Sequence, residues 1–210
     1  MASSARITGI SPTTKNPLLR LVFWYARRRF GRDVGPLRGY ATNPAVLAAS
    51  IAFELGMERA RRVDKPLKQL AELRVAALVG CPFCLDIGSA LLRELGVGED
   101  KLRDLNDYRT SSAFSALEKA ALAYADAMTA TPVEIADDDL RALRAQLDDA
   151  QLVELTAAIA HENLRARMNH ALGYGADGFS DGAFCVLAAG RDASRSAAPS
   201  SALRVTARAR

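Results

Sequence analysis

The chain has 210 residues, of which 50% are hydrophobic, 25% charged and only 6% aromatic; this suits one compact domain with extensions and excludes disorder over the whole length. Its formal charge of +4 is unevenly spread: residues 1–40 carry eight Lys or Arg against Asp33 alone, residues 191–210 carry five Arg against Asp192, and the centre is acidic, so no folded basic face is left for nucleic acid. No apolar run approaches the ~20 residues that cross a bilayer and the start lacks the order of a secretion signal, so the sequence reads as a cytoplasmic protein for which no membrane contact is expected.

Residues 1–16 are polar and read as a loose lead-in. A helix follows from Pro17 to the Arg27-Arg28-Arg29 triplet, with proline at its first turn and cations at its last. Together they form a basic N-terminal arm, 1–40, broken at Gly31, Gly35, Pro36 and Gly39. From residue 41 to 190 the pattern is all-helical. Thr42 or Asn43 caps a helix to about Met57. A second helix from near Pro66 carries Leu67, Leu70, Leu73, Ala77 and Leu78 at the spacing of a buried stripe. A third runs from Pro82 to Leu95, and a short one covers Glu99 to Leu105.

Two capping boxes then predict helix starts: Ser115–Glu118, leading to Met128, and Thr131–Glu134, leading to about Leu147. A long helix spans Gln151 to Leu172, and a last one Ser180 to Ala188. The basic tail, 191–210, has no core-facing periodicity and reads as disordered. A degenerate repeat at a spacing of 82 aligns Gln69–Leu73 with Gln151–Leu155, as two similar amphipathic helices or a duplicated unit would.

The sharpest chemistry lies in Gly80-Cys81-Pro82-Phe83-Cys84-Leu85-Asp86. Two cysteines three apart at a helix start can form a short disulfide. The helix N-terminus favours a thiolate, which makes Cys81, the leading and more exposed one, the expected nucleophile and Cys84 its resolving partner. A structural metal site and a pair of inert packing cysteines are the alternatives, although Cys185, His161 and His170 lie at no zinc-finger spacing and no metal is expected. Cys185, in an apolar run, reads as a small hydrophobe. A thiol that attacks peroxide also needs a proton donor. Asp86, two residues beyond Cys84, and Glu72, on the preceding helix, are candidates if half-buried. The competing readings are a first-turn acid for Asp86 and a solvated or ion-paired one for Glu72. His161 sits in a polar stretch of the long helix, where Asn163, Arg167 and His170 share a stripe.

The stretch Leu67 to Leu102 resembles the core of the carboxymuconolactone decarboxylase family, in particular its alkylhydroperoxidase AhpD-like branch. With Phe114–Lys119 and Leu122–Ala125, the resemblance extends from Thr42 to Leu187. It implies an AhpD-like all-α domain built from a repeated helical motif. It also implies a homo-oligomer (dimer, trimer or hexamer) and a hydroperoxide substrate reduced by Cys81 and Cys84 without a cofactor. The implied reductant is a thioredoxin-like or lipoyl dithiol. The family's proton-relay glutamate falls on Gln69, and its two histidines on Gly88 and Phe83, so Asp86, Glu72 or His161 would have to replace them. Decarboxylase-like chemistry around His161 and Arg165, or a non-catalytic redox-switch oligomer, are the other readings.

Overall fold

The computed structural model describes residues 5–186 and 188–189. Nine α-helices lie among the described residues: α1 (Pro17–Phe30), α2 (Gly35–Tyr40), α3 (Pro44–Arg59), α4 (Lys65–Val79), α5 (Pro82–Glu94), α6 (Glu99–Asp104), α7 (Ala116–Thr129), α8 (Asp137–Arg144) and α9 (Asp149–Ala171). The apolar stripe of Leu70, Ala71, Leu73, Val75 and Ala77 buries α4 on all sides, and α9, α7 and α5 pack around it. One core cluster joins α4 and α5 to the chain's C-terminal segment; another joins α4, α7, α8 and α9.

Local chemistry explains several helix ends. Asn16 and Asn43 cap α1 and α3 through their side chains, each just before a proline at N1. The Ser115–Glu118 capping box is present, and a second box, Asp148 with Gln151, starts α9 two residues before the expected point. Gly80 ends α4 at φ 74°, in the left-handed region where glycine carries no Cβ penalty.

Four expectations need correction. Residues 31–39, read as a break, contain most of α2. The lead-in from residue 5 is pinned rather than loose: the Arg6 amide donates to the Leu172 carbonyl, and that of Ile10 to Arg38. Thr131–Glu134 opens no helix. The Thr131–Pro132 peptide is cis, and α8 begins only at Asp137, with three aspartates on its first turn and no side-chain cap. The helix expected over 180–188 is also absent among the described residues. There the backbone bonds outward instead, Val186 N–H to Ser89 Oγ and Ala189 N–H to the Ala77 carbonyl. Leu187 and the tail 191–210 lie outside the described residues. Among those described, no helix is long and apolar enough to cross a membrane.

Candidate active site

Cys81 is the N-cap of α5: its Sγ accepts the Cys84 amide at 3.2 Å, the bond that a serine or aspartate oxygen makes at an ordinary cap. The two sulfurs are joined in a disulfide with a Cα–Cα separation of 5.3 Å. The expected order of exposure is reversed. Cys81 is 0% exposed and Cys84 6%. Cys81 is sealed because the cap turns its sulfur inward over the helix start, in the apolar cluster that also holds Val186. Cys84 meets α9, where Asn169 Nδ2 lies 3.5 Å from its Sγ; the Oδ1 of Asn169 accepts the Tyr40 hydroxyl at 2.6 Å. Both Asn169 and Tyr40 are buried.

Asp86 has another employment. Its Oδ2 accepts the amides of Asp177 and Phe179, both at 2.9 Å, and its Oδ1 that of Ser180 at 2.7 Å, while the Ser180 hydroxyl donates to its carbonyl. This buried carboxylate clamps the C-terminal segment onto α5 and holds those three protons in place rather than passing one to sulfur. Asp86→Ala should therefore cost about 3 kcal/mol, since three charge-assisted bonds go and three amides lose their acceptor; the shift in the urea unfolding midpoint measures it.

Glu72 and His161, in contrast, come together. Arg165 projects from α9 between three carboxyls: Glu54 of α3 at 2.7 Å, Glu72 of α4 at 3.6 Å, and Glu162 one turn earlier on α9. His161 Nε2 lies 3.8 Å from Glu54, and its ring stacks on Phe53 with centroids 4.1 Å apart. Burial pushes the Glu72 carboxyl up to about 7 against the pull of Arg165. It raises Glu162 too, whose Oε1 is buried with no hydrogen-bond partner. Burial likewise pushes the Glu54 carboxyl up, but Arg165 and His161 outweigh it and hold that group low. Burial and Arg165 push His161 down to about 4, so the ring is neutral at physiological pH. One cation thus faces three acids, two of which bind protons more tightly than a solvated carboxyl does.

The repeat throws light on Glu72. Its register mate Glu154 forms a buried pair with Lys68 at 2.5 Å and ties α9 to α4. Glu72 itself is left for Arg165.

Asn169, Tyr40, Glu162 and Glu54 were not singled out from sequence. Glu162, Arg165 and Asn169 recur at i, i+3 and i+7, the spacing of one helix face. The stripe read from sequence, Asn163, Arg167 and His170, is shifted by one residue, about 100° around the helix. Asn163 and Arg167 bond instead to Thr129 at the end of α7, and His170 is exposed. Cys185 is half-buried and bonds its neighbour's carbonyl. Among the described residues no three His, Cys, Asp or Glu converge as a metal site.

A family model described as the carboxymuconolactone decarboxylase family matches residues 44–127, from the start of α3 into the last turn of α7. The uncharacterised protein YnjA of Escherichia coli K12 is 38% identical over 173 residues, covering 81% of this chain and 94% of YnjA. The chain belongs to the carboxymuconolactone decarboxylase family. Solved structures share the fold. ATU0492 from Agrobacterium tumefaciens, whose description names AhpD and antioxidant defence, superposes with a TM-score of 0.60 at 26% identity, over 63% of this chain and 90% of that one. A peroxidase-related protein from Silicibacter sp. TM1040 reaches 0.75 at 20% identity, over 85% and 95%. The carboxymuconolactone decarboxylase match contains both cysteines and Glu72, whereas α9, with Arg165 and Asn169, lies beyond it.

Proposed function

We propose that this protein is a thiol oxidoreductase that reduces hydroperoxides through Cys81 and Cys84 and is re-reduced by a thioredoxin-like or lipoyl dithiol. The observation that carries this reading is the meeting, along one face of α9, of a sulfur pair and a buried acid poised near neutrality. Asn169 touches Cys84, and Arg165, four residues earlier, touches Glu72. The peroxide and antioxidant descriptions of the two structural relatives support it.

In this scheme Cys84, the less deeply buried residue of the pair, attacks one peroxide oxygen as its thiolate. The O–O bond breaks, the sulfur is oxidised by two electrons to the sulfenic acid, and the departing alkoxide takes a proton and leaves as the alcohol. The acids around Arg165 supply that proton, Glu72 foremost. The Cys81 sulfur then attacks Cys84, forming the disulfide, and the sulfenic oxygen leaves as water with the thiol's proton. An incoming dithiol attacks Cys84 Sγ and expels Cys81, which the cap bond and the start of α5 stabilise as a leaving thiolate. The second thiol of the reductant then releases Cys84, so two electrons pass from the dithiol to the protein. Assembly with further copies of the chain belongs to the same reading. It is supported by the exposed apolar side chains of α1 (Leu18, Leu21, Trp24, Tyr25) and of α3 (Phe53, Leu55).

Thiol counting tests the scheme. One equivalent of hydrogen peroxide should remove two thiols per reduced chain. The rate should decline above about pH 7 as Glu72 loses its proton, and Glu72→Gln should slow the reaction ~100-fold and abolish that decline. An unchanged thiol count after peroxide overturns the reading.

A further inference from the structure

Resting on the dithiol reading above, we propose that Asn169 is a catalytic residue whose amide N–H holds the Cys84 sulfur as a thiolate, and that Tyr40 is the positioning residue that aims it. The geometry assigns the roles. A thiolate is a far better acceptor than a thiol or a disulfide sulfur, so a donor fixed beside Cys84 favours the anion. Asn169 Nδ2 stands 3.5 Å from Cys84 Sγ in a fully buried position, where its amide meets little competition from water.

An asparagine presents either its NH2 or its oxygen, and the wrong end would repel a thiolate. The orientation is set by Tyr40, whose hydroxyl donates to Oδ1 at 2.6 Å and so turns the NH2 towards sulfur. Tyr40 can act as this donor across the physiological range, because burial raises its hydroxyl pKa far above neutrality. It stands at the C-terminal end of α2, 129 residues before Asn169. The N-terminal arm thereby supplies part of the thiol site. Alanine at Gly39 would drive a Cβ to 1.7 Å from the Tyr174 hydroxyl, so the turn that delivers Tyr40 has no room for a side chain at its neighbour.

The elements packed against α5 carry several titratable and charged groups, among them Glu72 on α4 and His161, Glu162 and Arg165 on α9, beside Asp86 on α5 itself and Tyr174 and Asp177 in the C-terminal segment. Asp86 is held by three amides, and the acids around Arg165 are paired with that guanidinium, four residues before Asn169 on α9. Among the described contacts of Cys84 Sγ, the side-chain donor is Asn169.

The experiment titrates thiolate absorbance near ~240 nm in the full chain carrying C81S and C185S, so that Cys84 is the sole thiol and a serine keeps the cap. Adding Asn169→Ala should raise the Cys84 pKa by about one unit or more, and slow its alkylation by iodoacetamide at neutral pH in proportion. Adding Tyr40→Phe, which removes one oxygen and keeps the packing, should raise it by a smaller amount in the same direction. If Asn169→Ala does not fold, Tyr40→Phe decides. A lowered melting temperature with the Cys84 pKa unmoved in either folded variant overturns the proposal and leaves Asn169 a packing residue. Neither readout uses peroxide, so failure of the peroxidase reading and failure of this assignment are separable.

Discussion

Cys84→Ser should abolish peroxide consumption down to the uncatalysed background. Cys81→Ser should still consume one peroxide per chain and then stop. The difference follows from burial and partners. Cys84 is the less deeply buried of the pair and touches Asn169 on α9, while Cys81 is sealed as the α5 cap. Without Cys84 the remaining thiol is shielded from peroxide. Without Cys81 the sulfenic acid forms but has no neighbour with which to condense. Dimedone labelling followed by peptide mass analysis should place the adduct on Cys84 in Cys81→Ser. Labelling of Cys81 in Cys84→Ser, with a rate near wild type, would reverse the roles and restore the order expected from the helix start alone. Serine caps α5 at position 81 as well as sulfur does, so loss of turnover there would not reflect a lost helix.

Arg165→Met is expected to be the most destabilising single change at the site, by about 3 kcal/mol at neutral pH. Its guanidinium compensates Glu54, Glu72 and Glu162 at once, and the last two are largely withdrawn from water. Methionine keeps the volume and removes the cation, so the acids must either repel one another or take up protons. The sign of the pH dependence is therefore fixed. Glu72 has a folded pKa of about 7, above its value of 4.5 in a solvated chain. The stability it contributes is fully present below about pH 4.5 and is lost as pH rises through about 7. In Arg165→Met all three carboxyls lose their cation, so the raised Glu72 and Glu162 rise further, Glu54 is no longer held as low, and the loss deepens towards alkaline pH. His161 works in the opposite sense. Buried neutral at about 4 against 6.5, it adds stability that vanishes as pH falls through that window. Urea unfolding at about pH 5.5 and about pH 8 should show a smaller penalty for Arg165→Met at the lower pH. An equal penalty at both would mean that the carboxyls do not titrate with the cation.

How legible was this in the sequence? The helical body was, because α4, α7 and α9 combine apolar periodicity with recognisable caps. So was the sulfur pair, since two cysteines three apart at a helix start leave few geometries. Glu72 and His161 were found as types needed by the chemistry. Their meeting at Arg165 was not visible, because it depends on the packing of α3, α4 and α9. Asp86 looked the same to sequence reasoning whether it served sulfur or backbone, and only the arrival of residues 177–180 decided between them. Asn169 was hidden by register. A polar-rich helix such as α9 offers several stripes, and the buried one is set by Leu155, Ile159 and Ala166, which turn inward beside it. Tyr40 lay in a glycine-rich stretch that reads as a break, and glycine there permits close packing against Tyr174 rather than merely a turn. The Thr131–Glu134 motif has the spacing of a capping box, but that spacing alone starts no helix, and α8 begins only at Asp137.

The clamp at Asp86 has a consequence for the birth of the molecule. Val186 bonds to Ser89 across 97 residues, and the amides held by Asp86 follow it by 91 to 94. On the ribosome the sulfurs of α5 therefore emerge well before the residues that cover them. The nascent protein passes through a stage in which Cys81 stands uncovered, and its shelter is complete only once the chain has been made as far as Val186.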